Sequence, residues 1–336
     1  MLIVVGIKAL NEEDHIARTI ESALAALDPF TGKVVLADSG SVDRTVEIAR
    51  RYPIEIVQLA NTDERCCGAG AQLAYQSAMD ADFFYLLDGD MVLDAEFLKV
   101  AVARLQADPQ VAGISGVVVE CNLVSQQYRI SQQNTKHEEA NVDRLDGGGL
   151  YRVAAVASVN YFADRNLHAF EEFELGARLT SKGWRLLRIG QPAVYHYGHL
   201  TGGYRLLWRR LRSGYSGGAG EVLRAALGQP HFKAVLLRLR HLHVGAVVIV
   251  WWMMLAGAAA SAAWPLLAVI IAAPWAGLAL RRGSAALGLY SLASWNVATL
   301  GLIGGLLQRR TPPTEPLSHK RLKSLATGTQ TQTGIR

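Results

Sequence analysis

Apolar and polar positions alternate along the first hundred residues in a repeating strand–helix pattern. Four short apolar runs predict buried strands at Leu2–Ile7, Lys33–Ala37, Ile54–Leu59 and Phe83–Leu87. Between these runs, apolar residues recur at helical spacing, as they do across residues 16–27. This alternation predicts an α/β fold with a mostly parallel, Rossmann-like sheet and right-handed crossovers.

Polar residues mark the ends of several predicted elements. Asn11 is the predicted N-cap of the first helix, with acids at 12–14 in its first turn, where the helix dipole favours negative charge. Asp94 is predicted to begin a later helix, which precedes a strand at Val111–Val119. The polar stretch 120–146 comes next and is predicted to be a loop or an insertion.

Polar groups also follow three of the predicted strands, at residues 8–12, 38–43 and 88–90. Because the carboxyl ends of parallel strands share one edge of a sheet, these groups are expected to converge. Asp88 and Asp90 flank one glycine, and two close carboxylates repel each other unless a cation neutralises them. A divalent Mg²⁺ or Mn²⁺ is the simplest such cation, whereas a solvated Asp-Gly turn is the alternative for this segment alone. For Asp43 we favour capping of the loop and helix over ligand binding.

The last third of the chain has a different character. Val244–Leu280 and Ser284–Leu307 contain no charged residue, and each is long enough for at least one membrane span. We expect two to three transmembrane helices within residues 244–308, in preference to an apolar soluble bundle. The basic pair Arg281-Arg282 and the cationic tail would both lie in the cytosol by the positive-inside rule. Three full spans cannot satisfy both, so the topology stays open.

Charge and cysteine content narrow the classes of function. The net charge of +5 is modest, but residues 204–243 carry many arginines and a single acid, Glu221. Since this stretch adjoins the apolar region, it is predicted to be a basic amphipathic juxtamembrane region that contacts anionic lipids rather than nucleic acid. Three cysteines make no disulfide framework and fit a reducing compartment.

Several sequence signals are missing from the pattern. The N-terminus shows no signal-peptide pattern. A Gly-x-Gly-x-x-Gly motif after the first strand is also missing, as is a Gly-Lys-Ser/Thr loop. Their absence argues against a dinucleotide dehydrogenase and a P-loop nucleotidase.

Three motifs in order resemble those of family-2 glycosyltransferases: Lys8-Ala9-Leu10-Asn11-Glu12-Glu13, Asp38-Ser39-Gly40-Ser41-Val42-Asp43-Arg44-Thr45 and Leu87-Asp88-Gly89-Asp90. The resemblance implies a GT-A nucleotide-sugar domain over residues 1–203. Composition adds the basic region at 204–243, the transmembrane helices at 244–308 and a disordered cationic tail at 309–336. The order of segments is similar to that of bacterial membrane-anchored transferases of the exopolysaccharide or lipid-linked glycan type.

The resemblance also implies roles for residues on the donor side. Asp38 would contact the nucleotide base, Asp88 would lie near the ribose, and Asp90 would hold the metal on the diphosphate. Arg65 would contact the base or a phosphate, with a solvated surface charge as the alternative. The further candidates for nucleotide-sugar binding come from the first motif and from a glycine-rich segment before a strand: Ala9, Asn11, Glu12 and Gly149.

On the acceptor side, Phe170–Leu179 resembles the family's Glu-Asp-x-x-Leu-x-x-Arg motif. The second acid of that motif is the base that deprotonates the acceptor, and here it is Glu172 instead of Asp. Glutamate can serve as a general base within hydrogen-bond reach, and Glu171 is the rival candidate. Asp88 and His196 are the candidates to complete the metal site at Asp90, and His199 is an alternative to His196. A diphosphate contact or a purely structural role is the other interpretation of either histidine.

These features predict an inverting, metal-dependent glycosyltransferase that uses a nucleotide-diphosphate sugar donor. Its acceptor would be a hydroxyl on a lipid-linked or membrane-proximal glycan. We expect it on the bacterial inner membrane, with its catalytic domain facing the cytosol. Two alternatives stay open: a polyprenyl-phosphate glycosyltransferase and a non-catalytic scaffold subunit that binds nucleotide sugar. Residues 208–212 do not match the Gln-x-x-Arg-Trp motif of processive synthases.

Overall fold

The computed structural model of the chain describes residues 1–121, 138–198 and 203–325. Most of the polar stretch that was predicted to be a loop or insertion lies outside these residues. So does His199, the alternative metal ligand. The described residues comprise an α/β domain built on one sheet, a group of helices that follows it, and a C-terminal segment that returns to the sheet.

One ten-stranded sheet organises the domain, in the order β10-β3-β2-β1-β4-β8-β6-β9-β5, with β7 paired to β9 off this path. The strands are β1 (Leu2–Ala9), β2 (Thr31–Asp38), β3 (Glu55–Leu59), β4 (Phe83–Asp88), β5 (Met91–Leu93), β6 (Val111–Glu120), β7 (Ala140–Val142), β8 (Gly149–Arg152), β9 (Arg185–His196) and β10 (His319–Lys323).

Helices cover both faces of the sheet and then form the C-terminal part of the chain. They are α1 (Ile16–Leu27), α2 (Thr45–Ala49), α3 (Cys67–Gln76), α4 (Ala95–Ala107), α5 (Val153–Ala157), α6 (Glu171–Ser181), α7 (Gly203–Arg212), α8 (Gly218–Ala226), α9 (Phe232–Arg238), α10 (Arg240–Ala260), α11 (Trp264–Arg282) and α12 (Ala285–Leu307). Short 3-10 turns lie at Thr62–Glu64 and Tyr215–Gly217.

The first four strands are parallel, as predicted from the alternating pattern, whereas β8 joins β4 antiparallel and makes the sheet mixed. In this register Ala9 pairs with Asp38, and Lys8 pairs with Asp88. The polar groups after β1, β2 and β4 therefore meet at one edge of the sheet, as expected. Side chains alternate between two apolar layers, with Val5 in one layer and Val4 in the other.

The predicted start of the first helix is wrong. Helix α1 begins at Ile16, with His15 at its N-cap, so Asn11 does not cap it. Asn11 instead has a φ of 57°, in the left-handed region that asparagine tolerates better than most residues. Its side-chain Oδ1 accepts a hydrogen bond from the Val42 N–H at 2.9 Å, and its own N–H donates to Ser41 Oγ at 2.9 Å. Asn11 thus joins the loops after β1 and β2.

Three helices, α10 to α12, are long and apolar enough to cross a membrane. The first begins at Arg240, four residues before the predicted boundary at 244, and the uncharged run 244–280 is divided at 261–263. Helices α10 and α12 run antiparallel. Trp252 Nε1 donates to Asn296 Oδ1 at 2.8 Å, and Leu242 packs with Leu302 in one cluster.

The sequence predicts a disordered tail from residue 309, and this prediction is wrong for residues 319–323. His319–Lys323 form β10, which pairs antiparallel with β3 at the edge of the sheet. The approach to this strand is also fixed, because the Leu317 N–H donates to Gln76 Oε1 at 2.9 Å. Basic residues suit this position, since lysine and arginine on an edge strand discourage further pairing.

Candidate active site

The turn after β4 places two carboxylates at the edge of the sheet. The Gly89 N–H donates to the Lys8 carbonyl at 3.0 Å, and the Thr19 hydroxyl donates to the Gly89 carbonyl at 2.8 Å. A Cβ at position 89 would lie 2.9 Å from Glu12 Cγ, so the close approach of the two loops requires glycine. The sheet and α1 therefore fix Asp88 and Asp90 on a rigid support.

Lys8 links the acids after β4 to the acids of α6. Its Nζ lies 3.2 Å from Asp88 Oδ1 and 2.8 Å from Glu171 Oε1. Burial lowers the pKa of Lys8, but these carboxylates, joined by Glu172, outweigh burial and hold that pKa well above its usual value. Lys8 is therefore a fixed positive charge between two acidic groups that would otherwise repel each other.

Two carboxyl groups at this edge of the sheet have raised pKa values. Burial, followed by the neighbouring Glu171, raises the pKa of Glu172 to about 8, although Lys8 acts in the opposite direction. Burial, followed by the charges of Asp90 and Asp88, also raises the pKa of Glu12 to about 8. Such crowding of carboxylates around one pocket is a common property of sites that bind cations or move protons.

Glu171 and Glu172 occupy the first turn of α6, where the helix dipole favours negative charge. The preceding Phe170 has a φ of 68°, which turns the chain sharply into the helix. Farther along α6, Arg178 Nε donates to Glu174 Oε1 at 2.8 Å within the helix. The same guanidinium donates to the backbone carbonyls of residues 159, 161 and 162, which fixes α6 against the preceding segment. The arginine of the acceptor-side motif is thus structural in this chain.

His196 lies beside Asp90 at the end of β9. Its Nε2 is 3.2 Å from Asp90 Oδ2, and its Nδ1 is 2.7 Å from Glu120 Oε1. Burial lowers the pKa of His196, but the hydrogen bonds to these two carboxylates raise it to about 10. His196 is therefore cationic at neutral pH and paired with the carboxylate that it was predicted to assist.

The donor set at this position suits a hard divalent cation that has few protein ligands. Among the described residues, no three His, Cys, Asp or Glu side chains are arranged around a common metal position. Asp88 and Asp90 offer carboxylate oxygens within one cavity, however. Mg²⁺ and similar ions commonly bind one or two carboxylates and complete their shell with substrate phosphates and water. The two aspartates fit such an ion.

Asp38 shapes the loop after β2. Its Oδ2 accepts hydrogen bonds from the Gly40 and Ser41 N–H groups at 2.9 and 3.0 Å and from Gln58 Nε2 at 2.8 Å. Its Oδ1 is buried with no hydrogen-bond partner among the described residues. Asp43 caps the loop before α2, because its Oδ1 accepts from the Thr45 N–H at 2.9 Å, whereas the N-cap residue of α2 itself is Arg44.

These elements surround a cavity of about 600 Å³ at the carboxyl edge of the sheet. Five of the predicted site residues line it: Ala9, Glu12, Arg65, Asp88 and Asp90. The others lie outside its lining: Asn11, Asp38, Gly149, Glu171, Glu172 and His196. Gly149 is buried at the start of β8, opposite Leu86 of β4. Arg65 also hydrogen-bonds the Thr62 carbonyl through Nε, at 3.4 Å.

Reasoning from the sequence assigned no site role to several residues that line this cavity, among them Lys8, His168, Ser213 and Tyr215. Lys8 could have been suspected, because a lysine ends a buried parallel strand opposite Asp88. His168, Ser213 and Tyr215 also line the cavity, but they come from segments far along the chain that carry no recognisable motif. Only their position in the folded chain identifies them.

The mixed sheet, the Asp-Gly-Asp turn and the cavity beside it define a GT-A-type domain. Residues 4–166, just under half of the chain, match the family described as "Glycosyl transferase family 2", which supports a transferase of this family. It is similar to the succinoglycan biosynthesis protein ExoA of Rhizobium meliloti (strain 1021), with 26% identity over 208 residues. That alignment covers 57% of this chain and 62% of ExoA, less than two thirds of the relative's length.

Solved structures share the fold. The mannosyltransferase PcManGT from Pyrobaculum calidifontis, in complex with GDP-Man and Mn²⁺, is similar with a TM-score of 0.58 and 20% identity, covering 89% of this chain and 86% of that one. S. aureus TarS 1-349 in complex with UDP-GlcNAc has a TM-score of 0.50 and 18% identity, covering 69% of this chain and 73% of that one. These similarities establish the GT-A fold of the domain.

Proposed function

We propose that this chain is an inverting, metal-dependent glycosyltransferase that moves a sugar from a nucleotide-diphosphate donor to a hydroxyl on a lipid-linked or membrane-proximal glycan. One observation carries the proposal. Lys8 joins the metal-binding candidate Asp88 to Glu171 of the acid pair Glu171–Glu172, so donor-side and acceptor-side groups lie next to each other at the carboxyl edge of the sheet. Neighbours of similar fold bind UDP-GlcNAc and GDP-Man, which supports a nucleotide-sugar donor.

On the donor side, the base would lie near Asp38, and the cavity between Arg65 and Asp90 would hold the ribose and the diphosphate. Asp90 and Asp88 would hold a divalent cation, which when bound neutralises charge on the diphosphate leaving group. The positive charge of Lys8 offsets the repulsion between Asp88 and Glu171. It thereby keeps the donor-side and acceptor-side acids close to each other.

On the acceptor side, Glu172 would accept the proton of the attacking hydroxyl as the oxygen bonds to the anomeric carbon. The bond from that carbon to the diphosphate oxygen breaks with its electron pair, and attack from the opposite face inverts the centre. Glu171 is engaged by Lys8 at 2.8 Å, which supports the assignment of the base to Glu172.

The first test is nucleotide binding to detergent-purified protein. UDP, GDP, dTDP and CDP are titrated with and without Mn²⁺ or Mg²⁺, on the native protein and on Asp90→Asn. We expect tight, metal-dependent binding of one nucleotide, with this dependence lost in the variant. If no nucleotide binds in a metal-dependent manner, the proposed donor site is wrong. Binding without any sugar transfer in native lipid would instead support the scaffold alternative.

A polyprenyl phosphate is the second candidate acceptor, and the raised pKa of Glu172 favours it. A carboxyl group with a pKa of about 8 is largely neutral at pH 7, and a phosphate acceptor needs no strong base. Transfer activity that survives in Glu172→Gln but is lost in Asp90→Asn would select this acceptor. Loss of activity in both variants would select a hydroxyl acceptor.

We also propose that the protein lies on the bacterial inner membrane with its catalytic domain facing the cytosol, where nucleotide sugars are made. Three apolar helices support membrane association. Arg310 after α12 binds Asp164 of the domain at 2.7 Å, and β10 joins the sheet. Since the chain returns to the domain it left, helices α10–α12 would make an even number of crossings. The basic α7, with Trp208 exposed, would contact anionic lipids at the same surface.

A further inference from the structure

The outer wall of the cavity is built by residues that lie beyond the α/β sheet. His168 precedes α6, whereas Ser213 and Tyr215 belong to the connection between α7 and α8. Arg210 stacks over the Tyr215 ring at 5.0 Å. We call His168, Ser213 and Tyr215 the outer wall. It lines the same cavity as Asp88 and Asp90.

The outer wall is held from α8 through a buried glutamate. The His168 N–H donates to Glu221 Oε2 at 2.8 Å, and His168 Nδ1 lies 2.8 Å from Glu221 Oε1. Glu221 is only 1% exposed, and both of its carboxylate oxygens contact His168, which offsets part of the cost of burial. The connection between α7 and α8 also packs against His168, because a Cβ at Gly214 would lie 2.9 Å from His168 Cδ2.

The same segment rests directly on the apolar helix α12. A Cβ at Gly305 would overlap the carbonyl oxygen of Gly217, and a Cβ at Gly301 would overlap the carbonyl oxygen of Ser216. On the other side of the contact, a Cβ at Gly220 would overlap the Leu302 carbonyl. Glycine on both surfaces thus lets two backbones touch, as in closely packed membrane helices.

We propose that α12 positions the outer wall, so that the seating of the apolar helices sets the affinity of the donor cavity for a nucleoside diphosphate. Gly301, Gly305 and Glu221 are the positioning residues. Gly217, which contacts α12, lies two residues from Tyr215 along the chain. Gly220, which also contacts α12, is followed directly by Glu221, and Glu221 binds His168. The ligand in this inference rests on the proposed function, whereas the mechanical link between α12 and the outer wall does not.

The chain supplies a matched pair of substitutions. Gly305→Ala adds a methyl group that must push against Gly217, whereas a Cβ at the neighbouring Gly304 meets no atom of the described residues within 4 Å. Both changes raise helix propensity equally. Gly301→Ala and Glu221→Gln perturb the outer wall through other contacts. They replace Gly305→Ala in the experiment if that variant does not fold.

The experiment combines hydrogen exchange with nucleotide binding on the full chain in lipid nanodiscs. Hydrogen exchange, followed by mass spectrometry, is compared for peptides that contain His168 and residues 213–217. The dissociation constant of the nucleotide selected above is then measured with Mn²⁺. We expect Gly305→Ala to show faster hydrogen exchange in the outer wall and about tenfold weaker nucleotide binding. Gly304→Ala should match the native protein in both. A tenfold change in affinity lies within the usual range of coupling between separate sites. Tyr215→Ala should weaken binding directly.

The outcomes separate this inference from the proposed function. Equal exchange of the outer wall in Gly305→Ala and Gly304→Ala overturns the positioning role of α12. Unchanged binding in Tyr215→Ala overturns the contribution of the wall to nucleotide affinity. If the native protein binds no nucleotide, the proposed function fails, and the exchange comparison still decides whether α12 positions the wall.

Discussion

Lys8 Nζ lies 2.8 Å from Glu171 Oε1 and 3.2 Å from Asp88 Oδ1, so one buried cation bridges two segments that are far apart in sequence. The register of β1 against β4 places Lys8 directly opposite Asp88, and the first turn of α6 brings Glu171 to the same point. The lysine is 14% exposed and Glu171 only 5%. Both side chains are largely shielded from water, so each charge is stabilised by the other.

Replacement of the positively charged Lys8 side chain should destabilise the domain. We expect Lys8→Met to lower the free energy of unfolding by about 3–5 kcal/mol, because it leaves buried carboxylates without their partner. Chemical denaturation in detergent, followed by circular dichroism, measures the loss. Lys8→Met combined with Glu171→Gln should restore part of it, with a coupling energy of about 0.5–3 kcal/mol. Additive effects of the two changes would show that the pair does not act as a unit.

The rate of transfer to a hydroxyl acceptor should rise with pH. A general base acts in its deprotonated form, and burial together with Glu171 raises the pKa of Glu172 to about 8. The pH profile of kcat/KM should therefore rise through about pH 8 and level off above it. Glu172→Gln should lose the rising limb and about 10²–10⁴-fold in rate.

The neighbouring acid supplies the control for this profile. Glu171 is one of the charges that raise the pKa of Glu172, so Glu171→Gln should move the rising limb to lower pH without abolishing it. If Glu171→Gln removes the limb and Glu172→Gln keeps it, the two acids have exchanged roles.

Much of the donor half of the site could be predicted because its signals are local. Apolar runs predict the parallel strands, and each polar group follows its own strand by one or two residues. Once β1, β2 and β4 are parallel, Lys8, Asp38 and Asp88 must share one edge. Asp43 could be predicted as a cap for the same reason, because its hydrogen bond to the Thr45 N–H spans only two residues.

The rest depends on contacts that no local pattern records. Asn11 looks like a helix cap, but its partner Val42 lies in another loop and draws it into the left-handed region. The cationic segment His319–Lys323 becomes a strand only because β3 offers an open edge. Tyr215 lines the cavity, and its segment packs on α12, some ninety residues farther along the chain.

Binding of a divalent cation should release a proton from His196. Its hydrogen bonds to Asp90 and Glu120 raise its pKa to about 10. A divalent cation at Asp90 would remove the hydrogen bond to Asp90 and would add a positive charge near the imidazole. The pKa of His196 should then fall, and we expect a partial proton release on Mn²⁺ binding that is larger at pH 9 than at pH 7. Calorimetric titration of Mn²⁺ in buffers of different ionisation enthalpy counts the proton. The release should vanish in His196→Gln, and its persistence there would point to another group, such as Glu12.

The segment after α12 should lie on the same side of the membrane as the catalytic domain. Arg310 pairs with Asp164, Leu317 bonds Gln76, and β10 completes the sheet, so a tail on the opposite side would break all of these contacts. A cysteine at the exposed Thr314 and the native, exposed Cys121 report the two positions to a membrane-impermeant maleimide. We expect both to react in inverted vesicles and neither in intact spheroplasts, with lysed vesicles as the control for reactivity. Reaction of the two cysteines from opposite sides would require an odd number of crossings and would exclude the pairing of β10 with β3 in the membrane-bound protein.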